Sequence, residues 1–407
     1  MAKAPAAPRL VGKRILMIVE NLPVPFDRRV WLEAQSLHAA GAEVTVICPR
    51  GRGYEAPYEI RQGITIHRHP LPISGSGSSG YFWEYAIAMF WQFVLTTRIF
   101  FRQGIDVIHA CNPPDLICVV AAPFRLFGVK FLFDHHDLVP ELYEAKFNKR
   151  GLLWYCLGWF ERATFALASV SLATNESYYR IATTRGGMAP EDVFVVRSAP
   201  DLSRFKPVPP VARWKNDRQY LIGYLGILGE QEGVDLLLEA IYHLVTEEKR
   251  RDIQVVIIGD GPHLPFLRSL SNQLELTPYV TFTGRVADEV LVEALSTADI
   301  CVNPDRVTAL NDLSTMNKVM EYMALGKPIV QFAVTEGRVS AGTASLYAKA
   351  NNPKDFAKKI TALLDDEKRR SVLGARGQKR ILTKLNWPNS EKQLLAAYSR
   401  LFGLDKA

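Results

Sequence analysis

The chain alternates short apolar runs with longer stretches in which apolar residues recur every three or four positions. Runs at 15–19, 44–48, 64–68, 107–110, 130–133 and 169–173 predict buried strands. A helical pattern over 29–40, ended by Gly41, lies before the second of them. Apolar strands joined by helices predict a parallel sheet covered on both faces. At 199–210, Pro200, Pro207, Pro209 and Pro210 mark a linker. The pattern then restarts, with strands at 221–225, 254–258, 280–282, 300–302 and 329–332 and helices at 234–245, 263–274 and 288–296. The expectation is α/β: two doubly wound, Rossmann-like domains facing a cleft, over 1–200 and 201–385, with ligands beyond the carboxyl ends of the strands.

The stretch 303–330 carries the most chemistry. It follows an apolar strand, opens with loop residues and becomes a short helix, which Asp312 or Ser314 can cap and Gly326 with Pro328 stops. Ser314, Lys318 and Glu321 stand at i, i+4 and i+7 and so share one helical face. Backbone N–H groups at the helix start, with Lys318 one turn in, suit an anion. Glu321, a turn further, suits the two hydroxyls of a ribose. A solvated helix face is the plainer alternative.

Composition narrows the class. Apolar residues make up 48% and charged residues 22% of 407, and mean hydropathy is near zero, which suits ordinary globular cores rather than disorder. Met1 to Leu10 lacks the apolar segment of a secretory leader. Cys48, Cys111, Cys118, Cys156 and Cys301 form no C-x-x-C pair and read as buried thiols in a reducing cytoplasm. The net charge of +7 fits nucleic acid, anionic lipid or a phosphorylated substrate. No nucleic-acid motif or base-stacking platform accompanies it. The aromatic segment 81–101 is long enough to span a bilayer, but Glu84, Gln92 and Arg98 interrupt it. A largely core helix with an aromatic edge open to a membrane surface fits it better.

In the first half, Phe133-Asp-His-His-Asp-Leu-Val-Pro-Glu141 follows a strand, so its polar groups fall at a strand carboxyl end. Asp134, His135, His136 and Asp137 are ligand types for zinc or iron, but neighbouring histidines on extended backbone point to opposite sides. At the first strand-to-helix turn, Arg28 and Arg29 oppose the helix dipole and need another reason to exist. Contact with an acceptor phosphate is one, and a salt bridge to Asp27 or Glu33 is the other.

The run Lys318-Val-Met-Glu-Tyr-Met-Ala-Leu-Gly-Lys-Pro-Ile-Val330, with the Gly259-Asp-Gly-Pro262 turn, resembles the GT4-type glycosyltransferases of GT-B fold. The resemblance extends from Lys13 to the last helix. It implies that a helix at 386–407 crosses back to the first domain, and that a histidine faces the donor sugar and helps stabilise its oxocarbenium-like charge. His136 aligns best with that histidine and His135 second. The backbone around Gly284, Arg285 and Val286 is implied to bracket a nucleotide base. Glu321 matches the second glutamate of the E-x7-E pair.

Departures accompany the match. Leu313 stands where the first glutamate belongs, and Asp312, one residue earlier, is the substitute carboxylate. Ile227 and Glu232 occupy the places of the Arg and Lys that hold the donor diphosphate in many relatives, and the usual Gly-Gly pair is absent from the first turn. Lys318, with the N–H groups of Ser314, Thr315 and Met316, is expected to replace the missing charge. Arg306 and Arg338 are further helpers. No D-x-D pair occurs, so no metal site and no cofactor is expected beyond the nucleotide-diphosphate sugar itself.

The resulting expectation is a cytoplasmic, retaining, metal-independent hexosyltransferase, peripheral on the cytoplasmic membrane. Its acceptor is a hydroxyl on a lipid-linked or glycan substrate, as in surface polysaccharide assembly, and nucleic acid is not a partner. A nucleotide-sugar 2-epimerase, which shares the architecture, and a non-catalytic sugar-nucleotide-binding subunit are the alternatives.

Overall fold

A computed structural model describes residues 10–71, 78–147 and 149–404, and of 78–82 only the backbone. The start of the chain read above for a leader, and the first two side chains of the aromatic segment, lie outside the described residues. Two compact units emerge: 1–198 together with 387–407, and 199–386.

Among the described residues, the first unit is built on eight strands: β1 (Arg14–Ile18), β2 (Glu43–Pro49), β3 (Tyr58–Arg61), β4 (Ile64–His69), β5 (Val107–Cys111), β6 (Lys130–His135), β7 (Val170–Ala173) and β8 (Val193–Val195). Their order is β3-β4-β2-β1-β5-β6-β7-β8, parallel throughout except for β3 on β4. Strand direction of growth reverses between β1 and β5, which makes that crevice the switch point. The helices are α1 (Arg28–Ala39), α2 (Ser78–Gln103), α3 (Cys118–Arg125), α4 (Val139–Phe147), α5 (Leu152–Leu167), α6 (Glu176–Thr184) and, from the chain's end, α15 (Trp387–Phe402).

Alternation along the strands assigns the faces. Ile15, Met17, Val107 and Leu132 pack with Val30 and Leu37 of α1 and with Leu394 and Tyr398 of α15. On the other side α2 covers β2 and β4, while α3 and α5 cover β6. Phe133 meets Phe165 of α5 edge to face at 5.0 Å. By the same alternation His109, Cys111, Asp134 and His136 fall on the side of α1 and α15, and His135 on the side of α5. Trp387 Nε1 donates to Ser36 Oγ at 2.9 Å, and Ser390 Oγ to the Arg197 carbonyl at 2.7 Å, which fixes the last helix within this unit.

The second unit has six parallel strands: β9 (Tyr220–Leu225), β10 (Ile253–Ile258), β11 (Val280–Gly284), β12 (Ile300–Asn303), β13 (Ile329–Phe332) and β14 (Ser345–Ala348). Their order is β11-β10-β9-β12-β13-β14, so the switch point lies between β9 and β12. Helices α7 (Val234–Thr246), α8 (Leu264–Gln273) and α13 (Pro353–Leu364) share one core with residues such as Ile222, Val255 and Val302. Helices α9 (Asp288–Thr297), α11 (Asn317–Ala324) and α14 (Glu367–Thr383) share the other with Leu221, Val256 and Cys301. Between β12 and β14 come α10 (Ala309–Leu313) and α12 (Thr335–Ala341).

The structure corrects the reading of 303–330. Two helices occupy it, α10 and α11, and the break at Ser314–Met316 is extended backbone. Thr308 caps α10 by accepting from the Asn311 N–H at 3.2 Å. Neither Asp312 nor Ser314 caps α11. The cysteines are free, and Cys156 is only half-buried.

Candidate functional site

In the first unit the polar groups beyond β1, β5 and β6 gather on Asp134, which is fully buried. Arg29 reaches it from the first turn of α1, with Nη2 at 2.8 Å from Oδ1 and Nε at 3.2 Å from Oδ2. His136 Nε2 lies 2.6 Å from Oδ2, and His109 Nε2 lies 3.5 Å from it. A carboxylate only accepts, so the His136 Nε2 proton points at Asp134. Arg29 Nε, 2.9 Å from that same nitrogen, is then a second donor beside it rather than its partner. Arg29 also donates to the Val196 carbonyl at 2.6 Å and pairs with Glu33 at 3.2 Å, and Tyr398 Oη meets His109 Nδ1 at 3.0 Å.

Electrostatics follow from that packing. Burial alone would raise the Asp134 pKa, but Arg29, His136 and the histidine hydrogen bonds outweigh it and hold the carboxyl well below its usual range. Burial, and then Asp134, push Glu33 the other way, with Arg29 opposing them. Burial keeps His109 neutral. His109, Cys111 and Asp134 come within 4.8 Å of one another, a grouping that can hold a metal ion. Here Arg29 already supplies the positive charge such an ion would bring.

His136 is the member that reaches solvent, with 15% of its side chain exposed. Asn112, just past β5, positions it: Oδ1 accepts the His136 N–H at 2.6 Å and the Asp137 N–H at 3.1 Å. His135 points away into aromatic core, between Phe165 and Tyr178, with Glu161 at 3.4 Å. The carboxylate paired with His136 is Asp134, not Asp137. Arg29 is corrected likewise: it is a buried salt-bridge residue rather than an open anion contact. Arg28 lies exposed, and Asp27 caps α1 through the Val30 N–H at 3.1 Å.

In the second unit the focus is Lys318, 9% exposed in the first turn of α11. Its Nζ donates to Asp305 Oδ1 at 2.7 Å, pairs with Glu232, and lies 5.1 Å from the Tyr224 ring centre. Glu232 comes from the turn after β9 and Asp305 from the loop after β12, so the three meet beside the switch point. Close backbone packing builds this corner. Gly233, at φ +61°, puts its α-carbon where an added Cβ would lie 2.1 Å from the Pro304 carbonyl oxygen. Burial raises Asp305 to about 7, Lys318 opposing and Glu232 assisting. Burial would lower Lys318, but Asp305, Tyr224 and Glu232 hold it well above the usual lysine range. The expected cation is present, but two carboxylates already neutralise it.

The other expected donor residues divide. Asp312 is not a spare carboxylate: its oxygens accept the Thr335 N–H and hydroxyl, both at 2.8 Å, at the start of α12. Ser314 Oγ donates to the Leu310 carbonyl at 2.8 Å and sits before α11, so it does not share a helical face with Lys318 and Glu321. Thr315, Met316 and Glu321 are half-buried around that start. Gly284 ends β11 at φ +70°, followed by exposed Arg285. Arg306 pairs with Asp235, and Arg338 stacks on Tyr347 at 4.5 Å. Ile227, in the place of the family arginine, is 69% exposed. Sequence reasoning missed Asp134 as the hub, Asn112 and Asp305. The dipole-opposing Arg29 was the one signal that a buried acid had to lie near it.

Residues 27–204 match the family described as Glycosyltransferase Family 4, and residues 219–366 match Glycosyl transferases group 1, so that each unit is matched separately. Among curated proteins, an alpha-D-kanosaminyltransferase of Streptomyces kanamyceticus is 26% identical over 191 residues, 46% of this chain and 48% of that protein. A GDP-mannose-dependent alpha-(1-6)-phosphatidylinositol monomannoside mannosyltransferase of Mycobacterium tuberculosis is 29% identical over 200 residues, 46% of this chain and 50% of that protein. The chain thus spans about half the length of these relatives. Among solved structures, a sucrose-phosphate synthase from Thermosynechococcus elongatus superposes with a TM-score of 0.79 at 18% identity, covering 96% of this chain and 100% of that one. Anabaena HepE, crystallised with UDP and glucose, gives 0.72 at 15% identity, over 95% of this chain and 99% of that one. With two parallel-sheet units of this topology and both family matches, the chain belongs to the GT4-type glycosyltransferases of GT-B fold.

Proposed function

We propose that this chain is a glycosyltransferase that moves a hexose-type sugar from a nucleotide-diphosphate donor to a hydroxyl acceptor, with retention and without a metal. The observation that carries the reading is Lys318, held at the β9/β12 switch point in the first turn of α11. There a cation and backbone N–H groups can stabilise a departing diphosphate. Glu321 takes the ribose, and the turn at Gly284 and Arg285 takes the base. The acceptor binds the first unit, where His136, its ring fixed by the Nε2 hydrogen bond to Asp134, orients the sugar. Donor binding then competes with Glu232 for Lys318, so that affinity is set by an exchange of anions. The phosphatidylinositol-linked substrate named for one relative supports a lipid-linked acceptor.

A second reading has a specific observation behind it. Exposed Ile227 and the neutralised Lys318 leave the diphosphate without the family's cations, which favours a non-catalytic sugar-nucleotide-binding subunit. A panel of UDP- and GDP-sugars, assayed for nucleotide release with and without a membrane-lipid extract, separates the readings. Extract-dependent release supports transfer. Binding without release supports the subunit, and release without extract supports epimerase-like or hydrolytic turnover.

A further inference from the structure

Helices α2, α3 and α5 form one layer over the first sheet, on the side opposite α1 and α15. A layer of this kind ordinarily turns polar residues outward. This one does not. Leu126 is 88% exposed, Leu152 82% and Phe101 77%, with Phe90, Phe127 and Trp159 all above half. The elements that carry it adjoin: Phe100 of α2 lies 5.5 Å from exposed Phe127, just past α3, and 5.3 Å from buried Phe124, and α3 packs against α5. Apolar exposure on this scale marks an interaction face rather than scattered surface residues.

Charge says what the face meets. Arg98 and Arg102 on α2 and Arg162 on α5 are exposed, with no carboxylate partner among the described residues. The three helices contain two acidic residues, Glu84 and Glu161. Glu161 is buried against Arg185, and Glu84 is half-buried, with Oε2 shut off from solvent. The exposed charge on this layer is therefore positive around an apolar centre that includes a tryptophan. That pattern fits the interfacial zone of an anionic bilayer, where aromatic rings sit at headgroup depth and guanidinium groups meet lipid phosphates. No helix among the described residues is long and apolar enough to cross a membrane, so the contact is with its surface.

We infer that the outer face of α2, α3 and α5 is a docking surface for anionic lipid bilayers. It lies on the side of the sheet away from α1, α15 and the Arg29–Asp134 pair. The surface rests on the lipid-linked acceptor reading for its purpose alone, and vesicle binding is measured without donor or acceptor, so either can fail without the other.

The test is flotation of the full chain with vesicles of phosphatidylcholine alone and of phosphatidylcholine mixed with phosphatidylglycerol. Binding to the mixed vesicles alone, weakening as salt is raised, is expected. The variant Arg98→Gln/Arg102→Gln/Arg162→Gln should lose roughly fivefold in partitioning per cation removed. Phe101→Ser/Leu126→Ser/Leu152→Ser should abolish flotation while melting like the wild type, since these side chains project outward. Wild-type protein that does not float, or variants that float equally well, overturn the proposal. So does a stable dimer in sedimentation velocity that the serine variant dissolves, because a second copy would then be what covers the face.

Discussion

Lys318 Nζ stands 2.7 Å from Asp305 Oδ1 and also pairs with Glu232, beside the switch point of the second sheet. The pairing makes Lys318 part of the fold as well as part of the proposed site. Removing it strands two carboxylates, one of them fully buried. Lys318→Ala should therefore cost about 3–5 kcal/mol of stability, measured by denaturant unfolding. A variant as stable as the wild type would mean that the carboxylates reach water or each other's protons without it.

Glu232→Gln keeps the shape and removes one competing charge. It should raise affinity for free UDP or GDP about tenfold, which corresponds to about 1.4 kcal/mol, by calorimetry. If Glu232 instead hydrogen-bonds the donor directly, affinity will fall, and the exchange of anions at Lys318 is wrong.

Protonation gives an independent handle on the same corner. Burial and Glu232 raise Asp305 to about 7 despite Lys318, so the folded chain holds this proton to higher pH than the unfolded chain. Its contribution to stability is present below the ordinary carboxylate range and is lost as pH rises through about 7. Wild type minus Asp305→Asn, compared by urea midpoints from about pH 5 to pH 8, should show stability declining with pH. The difference is the useful quantity, because buried Glu20, raised to about 8 by burial and Glu84, slopes the same way in the other unit. A flat difference would place Asp305 ionised throughout.

In the first unit the two neighbouring arginines should behave oppositely. Arg29→Ala leaves the buried Asp134 without its guanidinium, with only the two histidines beside it, and should cost about 3–5 kcal/mol, whereas exposed Arg28→Ala should stay within about 0.5 kcal/mol. The measurement is chemical unfolding of both variants. Equal, small losses would favour the phosphate contact over the salt bridge, the two roles the sequence left open for Arg29.

What the sequence made legible was whatever burial on both faces writes into it. Strands such as β5 and β10 are apolar at nearly every position and were found within a residue or two. β3, Tyr-Glu-Ile-Arg, is an exposed antiparallel edge with no such pattern, and β8 is three residues long. Both escaped. The sites were legible in their helical part and not in their tertiary part. Lys318 carries a family motif, but Glu232 and Asp305 come from loops 86 and 13 residues earlier. Asp134 was read beside Asp137 and the histidines, whereas its partners arrive from α1, β5 and the residue two places on.

The central claim is sugar transfer, and nucleotide release tests it most directly. The purified protein is incubated with each member of a UDP- and GDP-sugar panel, with and without a membrane-lipid extract. Released nucleoside diphosphate and sugar in the lipid phase are measured together, for wild type and His136→Ala. Transfer predicts that one donor releases its nucleotide only with extract, in step with lipid-phase sugar. It also predicts that His136→Ala lowers that rate by about 100-fold while binding the same donor. Donor binding with no release under any condition, or release that neither needs extract nor labels lipid, would contradict it.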